Sequence, residues 1–296
     1  MGLEHEIKTM DAASMGLHVV TREELDGIHD ALMGILDEID RVCKANGIQW
    51  GISGGSALGA IRHRGFIPWD DDVDIVMTRR DFDRFKEVFP RDAAPYYTFL
   101  CPGEENYYSH LPRVYNSHTT MEVIQNTGRG KGLYVDIFVL DNVSDNPILF
   151  GIHGVLCTMY LFIVSCVVTR TQRDLLYRYG TDALKRKVRL RSFFGALFGL
   201  RKPESWIRSE IRCISRVKDE GTKRVVSATG SGHFFNEIYK RDKITRFREM
   251  PFEDRQYPVI AELDAFCRMR FGDNYMEIPP LERQEKHAYI SLDLTK

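Results

Sequence analysis

The sequence predicts a mixed α/β domain, a mixed sheet flanked by helices with a helical insertion. Three observations carry that expectation: an amphipathic helical stripe over 22–46, a strand–helix–strand succession over 48–78, and a β-rich run, GLYVDIFVL, at 132–140. In the first, Leu25, Ile28, Leu32, Ile35, Leu36, Ile39 and Val42 recur at three- and four-residue steps and so share one face. Thr21 with Glu24 has the capping-box spacing, and Asn46-Gly47 is a natural stop. The stripe speaks for core packing and says nothing about chemistry.

Ile48 to Ile52 is a short apolar piece that runs into Gly54-Gly55-Ser56, read as a turn, and then into a helix-like ALGAIRH segment. Pro68 breaks that helix, and Val73, Ile75 and Val76 favour a strand. A second helix is expected over Thr78 to Phe89, capped by Thr78 with Asp81, and a third strand over Gly132 to Leu140, followed by a turn from Asp141 to Pro147. Residues 148–169 are 22 consecutive uncharged residues, long enough to span a bilayer, although His153 and several small polar residues weaken that reading. Residues 170–202 then carry ten basic side chains against two acids, together with the apolar cluster Phe193, Phe194, Leu197, Phe198 and Leu200. Basic and bulky apolar groups on one segment suit an interfacial membrane helix; a buried helix pair with a solvated basic face is the plainer alternative. Three units are expected: a catalytic core at 1–147, a membrane-facing insertion at 148–202, and a C-terminal part at 203–296 that packs back on the core.

The 41 Lys and Arg against 42 Asp and Glu give a net charge of −1, which argues against a surface built to bind nucleic acid. With 43% hydrophobic and 28% charged residues, the chain has material for a core and is not of the disordered class. The six cysteines contain no C-x-x-C pair, so neither a zinc site nor a disulfide framework is read from them, and a reducing compartment fits. The first twenty residues hold no apolar run of the secretory kind, and Glu6 stands where N-myristoylation needs Ser or Thr, so a cytoplasmic setting is expected.

The most informative stretch is Gly54-Gly55-Ser56 followed by Asp72-Val73-Asp74. Carboxylates at i and i+2 on a strand share a face, and such neighbours both stay ionised when a cation neutralises them. Asp136, between Val135 and Ile137 on another expected strand, is the natural third acid. Oxygen-only ligands suit Mg²⁺ or Mn²⁺, and three acids on neighbouring strands can hold two metal ions for in-line phosphoryl displacement. The glycines let backbone approach a phosphate at a helix start. Taken singly, an acidic loop and a Gly-Gly-Ser turn are ordinary surface features; in this order and spacing they favour a metal site. A Ca²⁺-binding EF-hand does not fit, because no twelve-residue pattern closes on Glu.

The segment GISGGSALGAIRHRGFIPWDDDVDIVMTRRDFDRF resembles the signature of the LicD family of phosphotransferases, which the fukutin-type proteins share: Gly54-Gly55-Ser56, then Asp72-Val73-Asp74, then Val135-Asp136-Ile137. The run YVDIFVLDNV and the tail FGDNYMEIPPLERQEKH are similar as well, while residues 148–250 are least alike. The resemblance implies a nucleotidyltransferase-type fold and transfer of a substituted phosphate from a CDP-activated alcohol to a glycan hydroxyl, with release of CMP. CDP-choline is the expected donor, CDP-ribitol and CDP-glycerol the alternatives. A lipid-linked or cell-surface glycan, such as lipopolysaccharide or teichoic acid, is the expected acceptor, and the expected place is the inner face of the cytoplasmic membrane. On that reading Asp72 and Asp74 bind metal on the donor diphosphate, and Asp136 binds a second ion beside the acceptor hydroxyl and takes its proton. Arg62 and His63, with Arg64 beside them, are expected to hold phosphate oxygens, and Arg113, Lys131 and His287 to touch the donor. Asp70 and Asp71 are expected to shape the loop. Trp69, or the tyrosines Tyr96, Tyr97, Tyr107, Tyr108 and Tyr115, offer faces for a quaternary ammonium, with core packing as their commoner use. Two other readings stay open: a nucleotidyltransferase acting on another acceptor, and a non-catalytic membrane-peripheral binding protein.

Overall fold

The computed structural model describes residues 17–123, 128–284 and 288–294. After β1 (His18–Val19), α1 (Arg22–Asn46) begins on the expected capping box. Thr21 Oγ1 accepts the Glu24 N–H at 3.2 Å, and the Glu24 carboxylate accepts the Thr21 N–H at 2.8 Å. Gly47, at φ 60°, closes the helix in the left-handed region where a Cβ would be strained. Ile28, Ile35, Leu36, Ile39 and Val42 are fully buried. At about 1.5–3 kcal/mol for each such side chain, this face does more to fix α1 than helix propensity does.

β2 (Gly51–Ile52) leads into α2 (Gly54–Arg62), and β3 (Asp74–Thr78) into α3 (Arg79–Asp92). Gly54-Gly55-Ser56 is therefore the first turn of α2 rather than a turn ahead of it. Thr78 caps α3 through the Asp81 N–H, as the spacing predicts; the helix continues through Pro90, which in the last turn interrupts little of the hydrogen-bond ladder.

β4 (Tyr97–Leu100), β5 (Arg113–Asn116) and β6 (Thr120–Glu122) precede β7 (Tyr134–Asn142). β7 runs two residues into the expected turn. Asp141 is drawn into the interior by Arg79, whose Nε and Nη2 donate to its carboxylate at 2.7 and 2.9 Å, and Asn142 still pairs with the next strand.

The helical insertion is α4 (Pro147–Thr171), α5 (Arg173–Tyr179) and α6 (Asp182–Leu197), followed by α7 (Pro203–Ile214). β8 (Arg224–Val226), α8 (His233–Asn236), β9 (Ile238–Lys240), α9 (Arg241–Ile244), β10 (Phe247–Phe252), β11 (Arg255–Ile260), α10 (Leu263–Phe271), β12 (Ala288–Tyr289) and β13 (Ser291–Asp293) complete the order.

The main sheet runs β10–β11–β2–β3–β7–β5–β4, with β8 on the far end of β7 and β9 on β8. β11/β2 and β3/β7 are parallel and the other pairs antiparallel, so the sheet is mixed, as expected. One large apolar core joins α1, α2, α3 and α10 to this sheet. A second, smaller core, around Val143, Cys157, Cys213, Ile214 and Phe234, joins α4 to α7, α8 and the end of β7. There His153 Nε2–H donates to the Cys213 carbonyl at 2.8 Å, and the Cys157 and Cys213 Sγ atoms lie 3.6 Å apart. Burial pushes the Cys157 thiol pKa well up, so Cys157 packs as a neutral thiol. All six cysteines are buried and unbridged.

Candidate active site

The acids converge because β3 and β7 run parallel and in register. Asp74, the first residue of β3, stands opposite Asp136, the third of β7, with strands in such a pair about 4.8 Å apart. Asp72 lies two residues ahead on the approach to β3. It and Asp74 are half-buried, while Val73 and Ile75 between and beyond them are fully buried, the alternation expected of extended chain. Only Asp74 and Asp136 sit on strands; Asp72 belongs to the loop before β3.

The start of α2 is fastened to the same point. Ser56 Oγ accepts the Asp74 N–H at 3.0 Å, and the Ser53 N–H donates to the Asp74 carbonyl at 2.9 Å. Gly54 has φ 56°, and a Cβ at this position would collide with the Asp74 carboxylate. A Cβ on Gly55 would meet Asp70 Oδ2 at 3.4 Å, at the edge of ordinary contact. The two glycines thus bring the helix start against the carboxylates with no side chain between them. Gly54→Ala is expected to cost about 1–3 kcal/mol, as a strained left-handed residue with a clash. Gly55→Ala is expected to be close to neutral. The midpoints of urea unfolding compare the two directly.

Asp70, Asp71 and Asp72 offer carboxylate oxygens within 4.8 Å of one another. Asp71 is buried and receives the Tyr289 hydroxyl, and the Asp70 carbonyl accepts from His29 Nε2 at 2.7 Å. His29 itself stacks on Phe66 with centroids 4.0 Å apart. These anchors come from α1 and from β12, far away in the chain. Sequence reasoning missed both; the one signal was a histidine on the apolar side of α1.

Arg113 is opposite Asp136 on β5 and donates to it from Nε at 2.6 Å, with its guanidinium 3.8 Å above the Tyr134 ring. Burial works against its charge, but Asp136 and the surrounding tyrosines hold its pKa well above the ordinary value. Lys131 joins Arg113, Tyr115 and Tyr134 in lining a small cavity that is open to solvent.

Arg62 and His63 close α2 and are held by the tail and by each other. Arg62 Nη1 donates to the carbonyls of Tyr275 and Glu277 at 3.0 and 3.1 Å, and its Nε to His63 Nε2 at 3.0 Å. Burial, then the Arg62 charge, lowers the His63 pKa below the usual imidazole value. Arg64 is an exposed left-handed residue at φ 60°. Trp69 is half-buried against the core, edge-on to His63 at 6.0 Å. The tyrosines divide into separate groups. Tyr107 and Tyr115 pack with Leu100 and Tyr134, Tyr97 donates to the Gly34 carbonyl, Tyr96 stacks on His118, and Tyr108 reaches Asn106. His287 lies outside the described residues.

Paired strand carboxylates facing a glycine-lined helix start have the chemistry to hold a cation and a phosphate ester. Residues 47–147, which contain all of these features, match the family model described as LicD/FKTN/FKRP, nucleotidyltransferase domain. Across 268 residues the chain is 27% identical to the lipopolysaccharide cholinephosphotransferase LicD of Haemophilus influenzae, covering 87% of this chain and 95% of that one. It is also 34% identical over 61 residues to an uncharacterised protein of Rickettsia typhi, covering 21% of this chain and 20% of that one. A second uncharacterised protein, from Rickettsia prowazekii, is 26% identical over 119 residues, 39% of this chain and 41% of its own. With the family model centred on the carboxylates and the Haemophilus relative matched nearly end to end, residues 47–147 form a LicD-type nucleotidyltransferase domain, and the chain as a whole resembles the LicD phosphotransferases.

Proposed function

We propose that this enzyme transfers phosphocholine from CDP-choline to a hydroxyl of a lipid-linked or cell-surface glycan and releases CMP. The observation that carries this reading is the Asp74/Asp136 register pair set against the start of α2, where Gly54 leaves the space beside Asp74 open. The Haemophilus relative, named as acting on lipopolysaccharide, supports the acceptor class.

The donor set of Asp72, Asp74 and Asp136 is carboxylate only and fits a hard divalent ion, Mg²⁺ or Mn²⁺. Bound there, the ion would offset the negative charge of the donor diphosphate and of the departing CMP. The chain's own groups do the positioning. The N-terminal end of α2 receives diphosphate oxygens, its partial positive charge favouring them. Ser56 and Ser53 lock the backbone of Asp74. Arg113 fixes the Asp136 carboxylate, and with Lys131 it gives the neighbouring cavity a positive wall for phosphate oxygens.

A thermal-shift screen of the full chain tests this reading. CDP-choline, CDP-ribitol and CDP-glycerol are compared with and without Mg²⁺. CDP-choline with Mg²⁺ is expected to raise the melting temperature; at a hundredfold excess over Kd the gain is about 2.7 kcal/mol. A larger shift with CDP-ribitol or CDP-glycerol would overturn the choline assignment. No shift with any cytidine nucleotide would overturn the whole reading.

A further inference from the structure

α4 is long and apolar enough to cross a membrane, yet it is bound to the protein along one side. His153, Cys157 and Val164 are buried on that side, where α6 and α7 pack, and Cys166 and Val167 are buried at its C-terminal end. The other side is bare: Ile148, Leu149, Ile152, Val155, Met159 and Phe162 are exposed at spacings that keep them on one face. α6 adds Leu190, Phe193 and Leu197, which are 61, 63 and 62% exposed. Phe162 and Phe194, with ring centroids 5.8 Å apart, join the two stripes. Clustered exposed apolar side chains rimmed by polar ones mark interaction surfaces.

The charge around it identifies the occupant. Arg170, Arg173, Arg178, Arg186, Arg189 and Lys202 are exposed on the same helices and their flanks, against only Asp174 and Asp182 over 170–202. A second copy docked symmetrically on this face would bring basic surface against basic surface. A layer of anionic headgroups over hydrocarbon matches both the arginines and the apolar stripes. We infer that the exposed faces of α4 and α6 form a docking surface for an anionic lipid bilayer, lying in its plane rather than crossing it. A crossing would strip α4 from α6 and α7 and break the His153–Cys213 hydrogen bond.

The surface is tied to the candidate active site. α7 runs back along α4, with Cys213 at His153 and Trp206 near Tyr160. From α7, Glu204 accepts the Asn106 N–H at 3.0 Å, and Glu210 pairs with His110 at 3.0 Å. That loop leads directly into Arg113, opposite Asp136. Docking therefore fixes the carboxylates at a set distance from the lipid surface.

The inference stands apart from the proposed chemistry, and its test uses neither donor nor acceptor. The purified full chain is sedimented with vesicles of phosphatidylcholine alone, or of phosphatidylcholine mixed with phosphatidylglycerol. Binding to the mixed vesicles, weakened by salt, is expected. Arg186→Glu/Arg189→Glu should reduce it at least about tenfold, and Leu190→Ser/Phe193→Ser/Leu197→Ser should abolish it. All five side chains are exposed or at the rim, so melting temperatures should change little. Several results would overturn the inference: no binding of the wild-type chain to mixed vesicles, undiminished binding of the triple variant, a dimer that the triple variant dissolves without any vesicle binding, or retention in cell membranes after alkaline extraction, which marks a span.

Discussion

Asp74→Asn is expected to lower the rate of CMP release from CDP-choline on the order of a thousandfold while leaving the protein folded. The separation of the two effects follows from how Asp74 is held. Its N–H bond to Ser56 Oγ and its carbonyl bond from the Ser53 N–H are backbone contacts that asparagine keeps. The side chain is half-buried at the start of β3, and the amide has nearly the same shape. What is lost is the negative charge facing the helix start, which would hold a divalent ion that in turn neutralises the diphosphate. Asp136→Asn is a less clean test, because it also leaves the largely buried Arg113 without its carboxylate. Circular dichroism alongside product analysis checks the prediction; full turnover by a folded Asp74→Asn chain would remove Asp74 from the chemistry.

Asp141→Ala is expected to be the most destabilising single change of a charged residue in this fold, at about 3–5 kcal/mol. Asp141 is 3% and Arg79 11% exposed, and the two make a two-point contact at 2.7 and 2.9 Å. Asp141 holds Arg79 well above its usual pKa against burial, so removing the acid leaves the guanidinium in the interior with only the exposed Asp83, 3.4 Å from its Nη1, as a carboxylate partner. Replacing both residues with apolar ones of similar volume should recover most of the loss, because the desolvation cost then disappears for both. Urea unfolding of the single and double variants makes the comparison. A loss under 1 kcal/mol in Asp141→Ala would contradict the account of how β7 is pinned to α3.

What the sequence could reveal divides along contact range. The α1 stripe, its capping box, the α3 cap and the strand carrying Asp136 are encoded in windows of a few residues, and the structure keeps all of them with small boundary changes. The β10/β11 hairpin was illegible because Pro251 and Pro258 interrupt its strand pattern. β2 meets β11 only at Val259, which spares Pro258 any part in that parallel pairing. At the site, the closeness of Asp72 to Asp74 and the glycines that open α2 are local in the sequence, whereas the register that sets Asp74 opposite Asp136 is not. Nor are the supports of these groups. Tyr289 on Asp71, His29 on the Asp70 carbonyl and Tyr134 beneath Arg113 depend on which segments the fold brings together. Arg62 has the residue type and position of a phosphate clamp, but the tail spends it on the Tyr275 and Glu277 carbonyls, a contact no local pattern announces.

The central claim is that Asp74 and Asp136 hold a divalent ion in front of the start of α2. Anomalous diffraction from crystals of the full chain grown with Mn²⁺ and CDP-choline tests it most directly. The account predicts a manganese peak about 2.1 Å from carboxylate oxygens of both Asp74 and Asp136, with the diphosphate against Gly54 and Gly55. Manganese held only by Asp70, Asp71 and Asp72, or a diphosphate bound away from α2, would contradict it.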